Sequence, residues 1–289
     1  MQARDLELPG ADGISLHALE WSSEGVPLVF VHGFGNDAHV WDEIAPSMAP
    51  HYRTLAITLR GHGDSGRGPA KGGGLEAWVR DLESAFDHLD IDRLVLVGHS
   101  LGGRIAMLYA ARNPQKLAGL VLVDAAPQSD PRGSLRIREE MRSQLGRTDP
   151  SFASLEDYQR VLARQYPAAR NDTLERLSHH WVRPRADGRY ELKLDTRSFS
   201  PESGLDRDVA RERARAESER LWDALRRLPC PALVVRGAAS DVLSADVADE
   251  MAEDALPNGR LAVIPKAGHS VMLDNPGAFT QALSEFVLG

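Results

Sequence analysis

Residues 93–107 read "RLVLVGHSLGGRIAM": an apolar run ends in Gly98-His99-Ser100-Leu101-Gly102 and passes into a stretch that carries Ile105 and Leu108 at helical spacing. A polar hydroxyl here sits where a buried strand reverses into a helix. A tight elbow of that kind forces its central residue into a strained backbone conformation, and a side chain on either flank would collide across the bend. Glycine at 98 and 102 removes those collisions. A five-residue pattern alone is weak, but strand, turn and helix together are the setting in which G-x-S-x-G presents a nucleophile.

Outward from this elbow, short β-branched runs recur: "PLVFVH" (27–32), "TLAIT" (54–58), "GLVLVD" (119–124), "ALVVR" (232–236) and "LAVIP" (261–265). Each is almost continuously apolar, as strands covered on both faces must be. Between them, Leu75, Trp78, Leu82, Phe86 and Leu89 fall three or four apart on one helix face. Ser244 is placed to cap a further helix that turns Val247 and Met251 inward before Pro257. Alternating strands and helices predict an α/β fold with a mostly parallel, doubly wound sheet. The run "ISLHALEW" alternates apolar and polar residues and is expected to form an antiparallel edge strand. After Asp124 the rhythm breaks: residues 128–228 hold no strong strand signal, only helical fragments such as "SLEDYQRVLARQY", "NDTLERLSHHW" and "RDVARERARAESERLWDALRRL". Because strands resume at 232, this block is expected to be a helical cap inserted into a core made of residues 1–127 and 229–289.

A serine hydroxyl is a poor nucleophile until a base takes its proton, and that base needs a partner to orient it. Of ten histidines, His269 follows the last strand on a glycine-flanked loop, at the carboxyl edge of the sheet where ligands collect. Two aspartates end strands at that same edge. Asp241 follows the strand at 232–236, and Asp124 ends the strand next after the one bearing Ser100; either could reach the imidazole. Asp241 is favoured because it yields the chain order serine, acid, histidine. For an oxyanion, the backbone N–H of Leu101 opens the helix, and the glycine-bearing segment "FVHGFGND" offers the N–H of Phe34. His32 in that segment reads as a brace for the loop.

The segments "HGFGND", "RGHGDSGRG", "GHSLGG", "RGAASDVLS" and "AGHSVMLDNP" stand in the order of the α/β-hydrolase-fold enzymes, which the chain resembles over residues 27–127 and 229–289. The resemblance implies a sheet of eight strands, a triad of Ser100, Asp241 and His269, and no cofactor or metal. It also implies structural roles for His62 and Asp64. Relatives with aspartate at the elbow cleave carbon–halogen bonds or epoxides; serine at 100 points instead to acyl transfer. The expected substrates are small-molecule carboxylic esters, lactones or thioesters, as for a carboxylesterase. The alternatives are a carbon–carbon bond hydrolase of a β-diketone-like compound using the same triad, and a non-catalytic ligand receptor on the same fold. Tyr158, Tyr166, Trp181 and Phe199 in the cap are candidates to line an acyl pocket.

Composition narrows the partners. Forty-two acidic against thirty-four basic side chains give a net charge of -8, which argues against nucleic acid or an anionic membrane surface. No apolar run approaches the roughly 20 residues of a membrane span. The segment "MQARDLELPGADG" has no signal-peptide pattern, and the single cysteine, Cys230, excludes an internal disulfide. A cytoplasmic monomer or homodimer acting on a small molecule is the expectation.

Overall fold

The computed structural model describes residues 2–68, 74–145, 149, 151–199 and 207–289. The apolar runs become the six parallel strands of one eight-stranded sheet. Its strands are β1 (Arg4–Pro9), β2 (Ser15–Glu20), β3 (Pro27–Val31), β4 (Arg53–Ile57), β5 (Leu94–His99), β6 (Leu117–Val123), β10 (Ala232–Gly237) and β11 (Gly259–Ile264), in the order β1-β2-β4-β3-β5-β6-β10-β11. From β4 to β11 every pairing is parallel, while β2 runs antiparallel to both β4 and β1. The expected edge strand is therefore antiparallel but interior. The edge on that side is β1, whose "RDLELP" is too charged to read as a strand and leaves most of its side chains exposed.

Both faces of the central strands are covered, which is why those strands are continuously apolar. Along β3, Val29 and Val31 pack in one layer with Phe86 and Ile105, while Leu28 and Phe30 pack in the other with Trp41 and Phe279. The helices in chain order are α1 (Ala45–Met48), α2 (Gly74–His88), α3 (Leu101–Arg112), α4 (Pro131–Leu145), α5 (Leu155–Gln165), α6 (Asn171–Trp181), α7 (Arg207–Arg226), α8 (Ala245–Asp249), α9 (Val271–Asp274) and α10 (Pro276–Leu288). Phe86 of α2 meets Tyr109 of α3 edge to face, with ring centroids 5.2 Å apart. Replacing such a fully buried ring by alanine costs about 3–5 kcal/mol. Ser244 caps α8 as expected, its hydroxyl accepting the Val247 N–H at 3.3 Å. The helix then loosens into π geometry over Glu250–Ala255.

The inserted segment is not wholly helical. Three short strands, β7 (Ser151–Phe152), β8 (Val182–Pro184) and β9 (Tyr190–Leu192), form a second sheet in the order β7-β9-β8. Two or three residues are too few to show a period of two. The second half of α7 also departs from the expectation: Leu221, Trp222, Leu225 and the following Leu228 are buried with the α2–α3 layer of the main sheet. Polar contacts tie the insertion to the core. Trp181 Nε1–H donates to Asp37 Oδ1 at 2.9 Å, Arg176 donates to the carbonyl of His39 at 3.0 Å, and Lys193 pairs with Asp64 at 2.7 Å. Cys230 is buried in the core, where loss of solvation pushes its thiol up to about 11. Among the described residues, no helix is long and apolar enough to cross a membrane.

Candidate active site

The parallel register sets Val31 beside Gly98, His99 beside Val123, Val123 beside Val235 and Gly237 beside Ile264. The loops that leave β3, β5, β6, β10 and β11 therefore open on one rim. Ser100 stands at the sharpest of these exits with φ 52° and ψ -114°, a positive-φ conformation that costs a non-glycine residue roughly 1–3 kcal/mol. Surrounding contacts hold it there: Ser100 N–H donates to Val123 O at 3.0 Å, and Ser100 O accepts the N–H groups of Gly103 and Arg104. A Cβ on Gly98 would lie 2.5 Å from the carbonyl oxygen of Gly102, and one on Gly102 would lie 2.4 Å from that of Val31. The bend has no room for either methyl.

His269 lies between β11 and α9. Its Nε2 is 3.0 Å from Ser100 Oγ, and its Nδ1 is 2.7 Å from Asp124 Oδ2. With a carboxylate at Nδ1, that nitrogen carries the proton, and Nε2 is left to accept from the serine. The acid paired with the imidazole is thus Asp124 and not Asp241. Asp124 follows β6 at φ 45° and is fully buried. Its Oδ1 accepts the Gly237 N–H at 3.0 Å, and its Oδ2 accepts the Ser240 hydroxyl at 2.6 Å as well as His269. Three donors of this kind make a buried carboxylate tolerable. Gly237 has a second part in this: a Cβ there would lie 2.0 Å from the carbonyl oxygen of Gly268 and push the histidine loop off the rim.

Asp241 is turned the other way. Arg136 of α4 grips it with Nε–H to Oδ2 at 2.7 Å and Nη2–H to Oδ1 at 2.8 Å, and this contact, opposed by partial burial, holds its carboxyl below the usual aspartate range. The Asp241 carbonyl also accepts the Gly133 N–H, so this loop anchors the first turn of α4. Chain order cannot separate the two aspartates, because both positions lie between Ser100 and His269 and either gives the order serine, acid, histidine. Ser240 and Gly237 separate them, by offering two donors to one and none to the other.

The relay opens into a cavity of about 680 Å³ between the rim and the insertion. Phe34, Tyr158, Tyr166 and Trp181 line it. Tyr158 and Trp181 are buried, and Tyr166 OH accepts from Asn36 Nδ2 at 3.1 Å. The side chain of Phe199 lies outside the described residues. The loop after β3 is braced by His32: Leu59 N–H donates to its Nε2 at 2.9 Å, and its Nδ1–H donates to the Gly33 carbonyl at 2.7 Å. Burial holds His32 well below the ordinary imidazole range, so the brace is neutral. Ser65 is structural, donating to Thr58 O and accepting the His17 N–H.

Among the described residues, donor atoms of His39, Asp42 and His180 come within 4.8 Å of one another at the seam between core and insertion. The two imidazoles stack face to face, with centroids 3.4 Å apart and planes 18° from parallel. Arg176 already occupies Asp42 as a counter-ion.

A profile of the alpha/beta hydrolase fold matches residues 26–276. The chain is 29% identical over 266 residues to a dihydrolipoyllysine-residue acetyltransferase component of the acetoin cleaving system of Pseudomonas putida, covering 91% of this chain and 64% of that protein. The match thus spans less than two-thirds of that relative's length. It is 28% identical to an esterase of Mycobacterium tuberculosis over 95% of this chain and 86% of the esterase. The crystal structure of E-2-(acetamidomethylene)succinate hydrolase superposes over all of both chains with a TM-score of 0.84 at 23% identity.

Proposed function

Because the chain belongs to the alpha/beta hydrolase fold family, we propose that it is a serine hydrolase that cleaves a small-molecule carboxylic ester, lactone or thioester through an acyl-enzyme on Ser100. The observation that carries this reading is the unbroken relay from Ser100 Oγ through His269 to the buried Asp124, facing a cavity of about 680 Å³. In the forward half, Ser100 Oγ attacks the acyl carbonyl as His269 Nε2 takes its proton, and Asp124 stabilises the imidazolium that forms. The backbone N–H groups of Phe34 and Leu101 receive the oxyanion; donors of this kind contribute about 2.7–4 kcal/mol each to the transition state. His269 then returns the proton to the leaving alcohol or thiol. In the second half it draws a proton from water, which attacks the acyl carbon and releases the acid and Ser100. The similarity to an esterase over most of both chains supports this chemistry.

The insertion is proposed to act as the cap that selects the acyl group, with Tyr166 and Trp181 among its pocket walls. A fluorophosphonate probe followed by mapping of the adduct tests the nucleophile, beside turnover of p-nitrophenyl esters of increasing length, lactones and a dienol diketone. Label on Ser100 with ester or lactone turnover supports the reading. Turnover of the diketone alone moves the assignment to carbon–carbon cleavage, and a folded protein whose Ser100 the probe leaves unlabelled favours the receptor reading.

A further inference from the structure

The relay leaves the buried imidazole of His99 unused. His99, between Gly98 and Ser100, is 2% exposed, and its Nε2–H donates to the backbone carbonyl of His269 at 3.0 Å. The rings of His99 and His269 lie 4.8 Å apart. The other nitrogen, Nδ1, is buried and has no hydrogen-bond partner among the described residues. Gly33, in the loop after β3, closes over it: a Cβ there would sit 2.6 Å from Nδ1 and 3.2 Å from Ser100 Cβ. An unsatisfied buried acceptor costs about 1–3 kcal/mol. Leucine would fill much the same space without that cost, so packing does not account for an imidazole here. The bond from Nε2 does.

We propose that His99 is a positioning residue. Its ring registers two separate loops on the elbow, the His269 loop by a hydrogen bond to the backbone of the base itself and the Phe34 loop by direct contact with Gly33. The base and one oxyanion donor are thereby held relative to Ser100 by a single side chain. This rests on the reading of Ser100 and His269 as nucleophile and base. A misplacement of about 1 Å in such an arrangement costs about 10²-fold in rate.

Three substitutions separate positioning from filling, because the glutamine amide nitrogen reaches where Nε2 stands while that of asparagine stops near Nδ1. His99→Gln is expected to keep kcat within about fivefold of the parent, whereas His99→Asn and His99→Leu lower it about 10²-fold with KM changed less than threefold. Fluorophosphonate labelling rates should fall in the same order. Equal losses in all three variants, or none, would overturn the proposal. Should the asparagine and leucine variants fail to fold, ¹⁵N NMR of the parent protein decides: a neutral His99 protonated on Nε2 supports the proposal, and one protonated on Nδ1 sinks it. That spectrum needs no turnover. A parent protein that neither labels nor hydrolyses thus removes the serine-hydrolase reading alone.

Discussion

Asp124 and Asp241 end neighbouring stretches of the same rim, yet they live in opposite environments. Asp124 is fully buried and holds three donors, one of them the imidazole of His269. Asp241 keeps a third of its side chain in solvent and spends both oxygens on Arg136 of α4. The contrast extends to their surroundings. Under the relay lie buried neutral groups, His32, His62 and His99, while the cavity mouth is ringed by exchangeable ion pairs such as Arg136–Asp241 and Lys193–Asp64. The buried side fixes geometry because its groups have nowhere else to bond. The mouth can exchange partners with water at little cost.

The hardest strike at this contrast is Asp124→Asn. The amide keeps the volume but no longer selects the imidazole tautomer that accepts from Ser100, and kcat should fall about 10⁴-fold with KM little changed. Steady-state kinetics on the best ester of the panel checks it; a loss under tenfold would mean that His269 is oriented by something else.

Acid should destabilise the fold through its buried rings. Burial lowers the pKa of His62 to about 4 and holds His32 and His99 well below the ordinary range. An unfolded chain protonates these rings below about pH 6.5, so it binds more protons than the fold and stability drops as pH falls. At pH 5 His62 alone should cost about 2 kcal/mol relative to pH 7.5, with His32 and His99 adding in the same direction. His39 works the other way: despite burial, its bond to Asp42 raises its pKa, so it favours the fold as pH falls. Urea unfolding at the two pH values measures the balance, and a stability that rises on acidification would show that the buried rings are not held neutral.

Ser240→Ala probes the support beneath Asp124. It deletes the 2.6 Å donor to Oδ2 and the acceptor for the N–H groups of Val242 and Leu243. A charge-assisted bond of this kind contributes about 1.5–3 kcal/mol, so an approximately tenfold loss in kcat and a lower Tm are expected. An unchanged kcat would show that Gly237 alone suffices to hold the carboxylate.

The elbow, the histidine loop and the alternation of strands and helices were all legible in the residues, because each is written in neighbours: Gly98 and Gly102 flank Ser100, and Gly268 precedes His269. The acid was not. Its identity depends on lateral neighbours, since Asp124 follows β6, between β5 and β10, and receives Gly237 and Ser240 from β10 and the loop after it, more than a hundred residues away. A clue stood in "RGAASDVLS", where a serine precedes the aspartate, but nothing in one dimension says which of the two faces the imidazole. β1 escaped notice because an edge strand needs no apolar face on its open side, and the small sheet of the insertion because its strands are shorter than any period.

Asp241→Asn is the mildest change and the most discriminating. The Arg136 pair is about one-third exposed on each side, and such pairs contribute about 0–1 kcal/mol. If Asp241 only anchors α4 at the cavity mouth, the substitution changes kcat less than about threefold and any larger effect falls on KM, through the loosened arginine. The double variant with Asp124→Asn then tells whether the second carboxylate stands in reserve. Should the double variant lose a further hundredfold over Asp124→Asn, His269 swings to Asp241 when its own partner is gone. Should the two losses simply multiply, Asp241 has no hold on the base, as expected for a carboxylate whose two oxygens both point at an arginine.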